Sequence, residues 1–176
     1  MFDDTSEIIR RCLAGEGVAQ RELYDRYHRR VYRLAVRMVG RLDAADVTQE
    51  VFLQVFRGLD RFRAAAQFST WLYRVAVNEC LQHQRRSTHP LEPLTDEPAS
   101  TSAGPERQAE QADLLERALG RLEEQLRTVF LLREAEGMSY AQIAEVLGIP
   151  LGTVASQLSR ARAELRAFLR CTEDGE

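Results

Sequence analysis

The residues of this chain that could do chemistry are arginines, amides, hydroxyls and flat rings. In "FSTWLYRVAVNECLQHQRR", Trp71, Arg74, Asn78, Gln82 and Arg85 recur at steps of three, four, four and three. On a helix over about 69–86, that spacing gathers them on one face. Arg57, Arg61 and Arg63 cluster just before it, among Phe62 and Phe68. Arginine tracks phosphate and a flat ring stacks on an exposed base, so such a face suits single-stranded nucleic acid. The aromatics also fit a plain core role, Phe62 and Phe68 most readily. Leu72, Val75, Ala76 and Cys80 take the opposite side and are expected to be buried.

A second surface lies in "MSYAQIAEVLGIPLGTVASQLSRARAEL". Ser139 with Gln142 predicts a capping box, and Met138 with Ile143 the hydrophobic staple beside it. Ile143, Ala144 and Leu147 form the inner face of a short helix. Gly148 suits the left-handed residue that ends it, and Pro150 suits the first turn of the next helix. Val154, Leu158, Ala161 and Leu165 give that helix a buried stripe. A short helix, a tight glycine turn and a longer helix make a helix-turn-helix, whose second helix enters a major groove. The outer side of this helix carries Thr153, Ser156, Gln157 and Ser159, then Arg160, Arg162, Arg166 and Arg170. Hydroxyls and amides can meet phosphates or base edges, and the arginines supply charge. The first two turns are uncharged. An ordinary helical hairpin is the alternative, with Arg166 and Arg170 as a solvated face.

The helix before the first surface differs. "DAADVTQEVFLQVF" sets Asp43, Asp46, Gln49, Glu50 and Gln54 beside apolar positions. An acidic, amide-bearing face repels DNA and suits a basic protein surface, or water.

The elements that must position these residues are helical. Leu23, Tyr27, Val31, Leu34 and Met38 form one stripe, ended by Gly40; Val47, Val51, Val55 and Leu59 form another, with Asp43 as a candidate cap. Leu115, Ala118 and Leu122 start the C-terminal half, and Leu126, Val129 and Phe130 continue it to Gly137. Four of the five prolines fall between Pro90 and Pro105, in a stretch rich in Ser, Thr and acid that reads as a flexible linker. The reading is therefore all-α: two small helical domains joined by a flexible acidic linker, the C-terminal one a helix-turn-helix. The boundaries expected are 1–88, a linker over 89–107, a second domain over 108–170 and an acidic tail over 171–176.

The formal net charge of −3 gives no global sign of nucleic-acid binding, so local charge must carry it. Residues 1–90 hold 15 arginines against 11 acids, while residues 91–120 hold 2 against 7. All 24 basic residues are arginine, whose rigid fork suits phosphate and guanine edges, although the main reading of the bias is a GC-rich genome. Three scattered cysteines argue against a disulfide framework and fit a reducing cytosol. No signal peptide or membrane span is expected. The sequence holds no glycine-rich phosphate loop, nucleophile elbow or paired-carboxylate constellation, so neither catalysis nor a cofactor is expected. Cys80 with His83 is a two-ligand pair, but no second pair stands at zinc-finger spacing, and no metal site is expected.

Together these motifs resemble the extracytoplasmic-function (ECF) group of bacterial RNA polymerase sigma factors. "DAADVTQEVFLQVFRGLDRF" is similar to the core-binding segment of sigma domain 2, "FSTWLYRVAVNECLQHQRR" to its promoter-melting and −10-reading helix, and the helix-turn-helix to domain 4, which reads the −35 element. The resemblance implies that Asp46, Gln49, Glu50, Phe52 and Phe56 lie on or under the surface that docks the β′ clamp helices. Arg63 and the "AAAQF" loop would shape a pocket for a flipped −10 base, and Trp71, Arg74 and Asn78, with Gln82 and Arg85 on the same face, would meet the separated strand. Thr153, Ser156, Gln157, Ser159, Arg160 and Arg162 would approach the −35 groove. Family members carry a basic residue where this chain has Ala155 and another where it has Gln157, so two charge contacts are missing. The partners implied are core RNA polymerase (β′ clamp helices and β flap), promoter DNA and an anti-sigma factor, in the cytoplasm. The alternative is a stand-alone helix-turn-helix regulator with an N-terminal sensing domain, which would not need core polymerase to bind DNA.

Overall fold

A computed structural model describes residues 4–62, 67–86, 114–115 and 117–173. The linker, Arg63 and the alanines of the "AAAQF" loop lie outside the described residues, as does the end of the tail. Every regular element among the described residues is a helix, and the helices fall into two compact units.

The first unit holds α1 (Asp4–Leu13), α2 (Gly17–Val39), α3 (Arg41–Gly58), a 3-10 turn (Leu59–Arg61) and α4 (Phe68–Arg86). The expected α2 stripe is its core: Leu23, Val31, Leu34 and Met38 are essentially inaccessible, and Tyr27 is buried with them. From α3, Val47, Val51 and Val55 turn inward, and Leu59 follows from the 3-10 turn. Leu72, Ala76 and Cys80 bury the inner side of α4; Val75 is only half-buried, and Tyr73 and Val77 complete that side. A fully buried aliphatic side chain contributes about 1.5–3 kcal/mol, so this apolar interior dominates the unit's stability.

Gly40 separates α2 from α3 with a single residue. Its φ of 87° lies where a side chain would strain the backbone, and its N–H caps Val36 O at 3.0 Å. Asp43 is not the cap expected of it: α3 already begins at Arg41, with no side-chain cap. Asp43 sits inside the first turn, where the helix dipole favours a carboxylate, and its Oδ2 lies 3.0 Å from His83 Nε2 on α4.

Helix α1 has no counterpart among the expected elements. Ten residues are too few for a stable helix in isolation. Ile8, Ile9 and Cys12 are buried, and Thr5 Oγ1 hydrogen-bonds Tyr27 OH at 3.1 Å, so tertiary contact with α2 makes the helix.

The second unit holds a helical turn at 117–121, then α5 (Glu124–Glu134), α6 (Tyr140–Leu147) and α7 (Leu151–Glu173). Ala118, Leu122, Leu126 and Val129 are buried as expected, while Phe130 is half-buried and Leu115 is exposed. Ser139 Oγ accepts the Gln142 N–H at 3.2 Å and Gln142 Oε1 accepts the Ser139 N–H at 2.9 Å, a complete capping box. Met138 and Ile143 flank it, both buried. Gly148 then turns left-handed (φ 65°, ψ 32°) and ends α6. Pro150 stands just before α7, and its carbonyl accepts the Thr153 and Val154 N–H groups. Val154, Leu158, Ala161 and Leu165 bury the inner stripe of α7, and α5 packs along it.

The cap gives a direct test. Ser139→Ala removes one acceptor and leaves the Gln142 N–H unpaired, an expected loss of about 1 kcal/mol. Urea unfolding of the variant should show a lower midpoint at an unchanged slope. An unchanged midpoint would mean the capping box adds nothing to stability.

Candidate nucleic-acid interface

At 100° per residue, the buried stripe of α7 leaves an outward arc centred on Gly152, Ser156 and Ala163, with Ser159 and Arg160 at its edges. The centre of this arc is small and uncharged, so a backbone or base edge can come close. Ser156 is exposed, but its hydroxyl donates to Thr153 O at 3.0 Å; Thr153 itself is half-buried. Ser159 and Arg160 are exposed, and among the described residues Arg160 makes no ion pair. Two expected contact residues are held elsewhere. Gln157 Nε2 donates to Gln125 Oε1 on α5 at 3.2 Å, turning the amide inward. Arg162 Nη2 meets Glu134 Oε1 at 2.6 Å, and that hydrogen bond pushes the guanidinium pKa up. Both would have to leave α5 to reach a groove.

On α4, Arg74, Asn78, Gln82 and Arg85 are exposed along the expected face. Gln82 Oε1 accepts from Arg86 Nη2 at 3.0 Å. Trp71 is half-buried, its ring 5.5 Å from Phe62 and 5.7 Å from Phe68; Phe68 is buried and meets Tyr27 edge-on at 5.2 Å. A Cβ at Gly58 would come into van der Waals contact with the Trp71 ring. One part of the indole is anchored in the aromatic cluster, and the other remains accessible. Phe68 belongs to the core.

The α3 surface is mixed. Asp46 and Gln49 are exposed, Glu50 is half-buried and accepts from Gln54 Nε2 at 2.8 Å, and Phe52 is buried beneath them. Phe52 packs on Tyr24 at 4.7 Å and lies 6.2 Å from the half-buried Phe56. Beside them opens an apolar groove of about 400 Å³, lined by Tyr24, His28 and Tyr32 of α2 and by Gln49, Leu53 and Phe56 of α3. The α2 side of this groove was not expected from the sequence. On α3 the groove takes in Gln49, Phe52 and Phe56 of the expected docking surface and adds Leu53, a leucine on a polar face, which is 42% exposed.

A second hollow of about 230 Å³ lies between α3 and α4, lined by Asp46, Glu50, Glu79, His83 and Arg86. Burial, then the charge of Glu50, push the Glu79 carboxyl above its usual range, against the pull of Arg86. Burial pushes the Cys80 thiol up to about 12, so it stays protonated and inert, while His83 is turned toward Asp43. Among the described residues no group of histidines, cysteines and carboxylates is placed to hold a metal ion. Nor is any helix there long and apolar enough to cross a membrane.

Residues 23–89 match the family model of Sigma-70 region 2, and residues 112–165 that of Sigma-70, region 4. The ECF RNA polymerase sigma factor SigM of Mycobacterium tuberculosis is 38% identical over 167 residues, 93% of this chain and 84% of that protein. The chain belongs to the ECF group of sigma-70 factors. The ECF RNA polymerase sigma-E factor of Escherichia coli is 34% identical over 169 residues, 88% of each chain. Among solved structures, CnrH in complex with the cytosolic domain of CnrY superposes with a TM-score of 0.76 at 25% identity, covering 96% of this chain and 99% of that one. The RpoE of Bartonella quintana, solved with the anti-sigma factor NepR, gives 0.74 at 21% identity, covering 85% and 96%, and shows the same fold. The protein is thus a promoter-recognition subunit of transcription initiation and not an enzyme. Helices α2–α4 form its region 2, and α5 to most of α7 its region 4; α1 precedes the matched segment.

The raised Glu79 pKa sets a pH dependence of the sigma factor's stability. Folded Glu79 holds its proton more tightly than in the unfolded chain. Its ionisation therefore costs stability as pH rises through the folded pKa, a cost absent below the unfolded value. Glu79→Gln should be more stable than the parent at neutral pH, with the difference shrinking in the acid carboxylate range. Urea titrations at several pH values check this; a difference independent of pH would assign the effect to packing instead.

Proposed function

We propose that the three surfaces divide the work of promoter opening. Asp46, Gln49 and Glu50, with Phe52 beneath and Phe56 at the edge, dock the β′ clamp helices of core polymerase. Trp71, Arg74, Asn78, Gln82 and Arg85 receive the separated strand of the −10 element, and Arg63 serves the pocket for its flipped base. Thr153, Ser156, Ser159 and Arg160 approach the −35 groove, with Gln157 and Arg162 joining if released from α5. The working division is residues 1–88 for the polymerase and −10 functions, 89–107 as tether, 108–170 for the −35 element and the β flap, and 171–176 as tail. The protein works in the cytoplasm.

The observation that carries this reading is the segregation of chemistry by helix face. Carboxylates and amides stand over an apolar groove on α3, guanidiniums and amides flank an indole on α4, and small hydroxyls line α7. A docking site benefits from an apolar centre with a polar rim, single-stranded DNA from rings among cations, and a major groove from a helix with close backbone approach. That CnrH is solved with the cytosolic domain of CnrY supports a comparable protein partner here, an anti-sigma factor.

Core-binding titration tests the first assignment. Glu50→Arg should weaken affinity for core polymerase roughly tenfold or more, as for a charge reversed inside an interface. Unchanged affinity would remove α3 from that role. For the second, Trp71→Ala should impair open-complex formation while the helical circular-dichroism signal is retained; normal melting would return the indole to the core. For the third, Arg160→Ala should lower the slope of log affinity against log salt by about 0.9, one phosphate contact. Specific promoter binding by the chain without core polymerase would replace the whole reading with a stand-alone regulator.

A further inference from the structure

Helix α2 carries a face that none of these surfaces uses. From residue 26 to residue 39 it holds five arginines, Arg26, Arg29, Arg30, Arg33 and Arg37, and no acid. At 3.6 residues per turn they fall in an arc of roughly 100°, opposite the buried stripe, and span about 17 Å along the axis. All five are exposed. Arg26 donates to Thr5 Oγ1 at 3.4 Å. The acids of α2, Glu22 and Asp25, lie upstream and pair with Arg11 and Arg21. Among the described residues, no carboxylate pairs with Arg29, Arg30, Arg33 or Arg37.

The arc holds no apolar side chain, and this decides what fits it. A protein interface has an apolar centre, and a helix lying in a membrane surface has an apolar side. A rigid stripe of guanidiniums alone matches a polyanion read only through its phosphates, each bound by a planar fork. The stripe also belongs to the same helix pair as the α4 face. Tyr27 meets Phe68 at one end, and Gln84 Nε2 donates to Met38 O at the other, so α2 and α4 run side by side in the same direction.

We propose that the arginine stripe of α2 holds the sugar–phosphate backbone of duplex DNA flanking the melted segment. This rests on the sigma reading above and adds a contact to it, one that positions DNA without reading its sequence.

Holoenzyme assembled from the full chain and core polymerase is titrated with promoter duplex across a salt series. The double substitution Arg29→Gln with Arg33→Gln should lower the log–log salt slope by about 1.8, two phosphate contacts, with core affinity unchanged. Arg29→Lys with Arg33→Lys should keep most of the slope. A parental slope in the glutamine variant overturns the proposal. A drop in core affinity that accounts for the whole effect also overturns it, and places the stripe on the polymerase. So does weaker binding to anionic phospholipid vesicles with the promoter slope intact, which places the stripe on lipid. If the parental chain confers no promoter binding on core polymerase, the sigma reading itself falls and takes the stripe with it, an outcome distinct from the other three.

Discussion

The apolar stripe of α2 is the constraint on which the first unit depends. Leu23, Val31, Leu34 and Met38 have no polar alternative, and burying them fixes how α3 and α4 lie against α2. Each functional face is then what remains outside. On α3, the inward turn of Val47, Val51 and Val55 leaves Asp46, Gln49 and Glu50 outward. On α4, Leu72, Ala76 and Cys80 point in, so Arg74, Asn78 and Arg85 point out. The faces are set chiefly by what is buried beneath them. A cavity cut into this core would therefore disturb two faces at once, and defects in polymerase docking and strand capture would appear together. Substitutions on a face would separate them.

Charge follows the same partition. The chain is net acidic, yet α2 presents arginines on one side while α3 presents carboxylates on another. At physiological salt the Debye length is about 8 Å, so exposed charges on opposite sides of a helical domain are largely screened from each other. An acidic docking face and a basic DNA face can then share a small domain without cancelling. Between α3 and α4, Asp43 lies against His83, and Glu79 and Glu50 share a hollow with Arg86, whose charge offsets part of their repulsion.

Helical periodicity made most of the fold legible, because an amphipathic helix writes its buried side into the sequence every three or four residues. The α2 stripe, the capping box at Ser139 and the left-handed turn at Gly148 are all local signals, and the structure has them. What escaped was tertiary. Helix α1 exists because Ile8, Ile9 and Cys12 find α2, and ten residues carry too little pattern to announce it. Asp43 resembled a cap by type, but Gly40 ends one helix and opens the next, leaving the cap position elsewhere. The α2 wall of the apolar groove comes from Tyr24, His28 and Tyr32, which lie outside the α2 stripe and line a groove only because α3 lies beside them. Gln157 and Arg162 fall on the two flanks of α7, between its buried stripe and its outward arc, where a partner on α5 decides which way a long side chain turns.

That last pair sharpens the weakness of α7 as a DNA reader. Ala155 is small and uncharged, Gln157 is held by Gln125, and Arg162 is engaged by Glu134. Among the described residues Arg160, at the edge of the outward arc, stands without an ion pair, and one phosphate contact changes the salt slope by only about 0.9. Such a helix cannot hold a promoter by electrostatics alone. It does not need to, because region 2 belongs to the same chain, and a second contact made within one assembly is favoured by effective concentration rather than by its own affinity. The small residues Gly152, Ser156 and Ala163 then become an advantage, because with little side chain in the way the start of α7 can approach a groove floor closely. Discrimination there would come from hydroxyls and backbone N–H groups, while under the proposed division most of the charge facing DNA would reside on the helices of region 2.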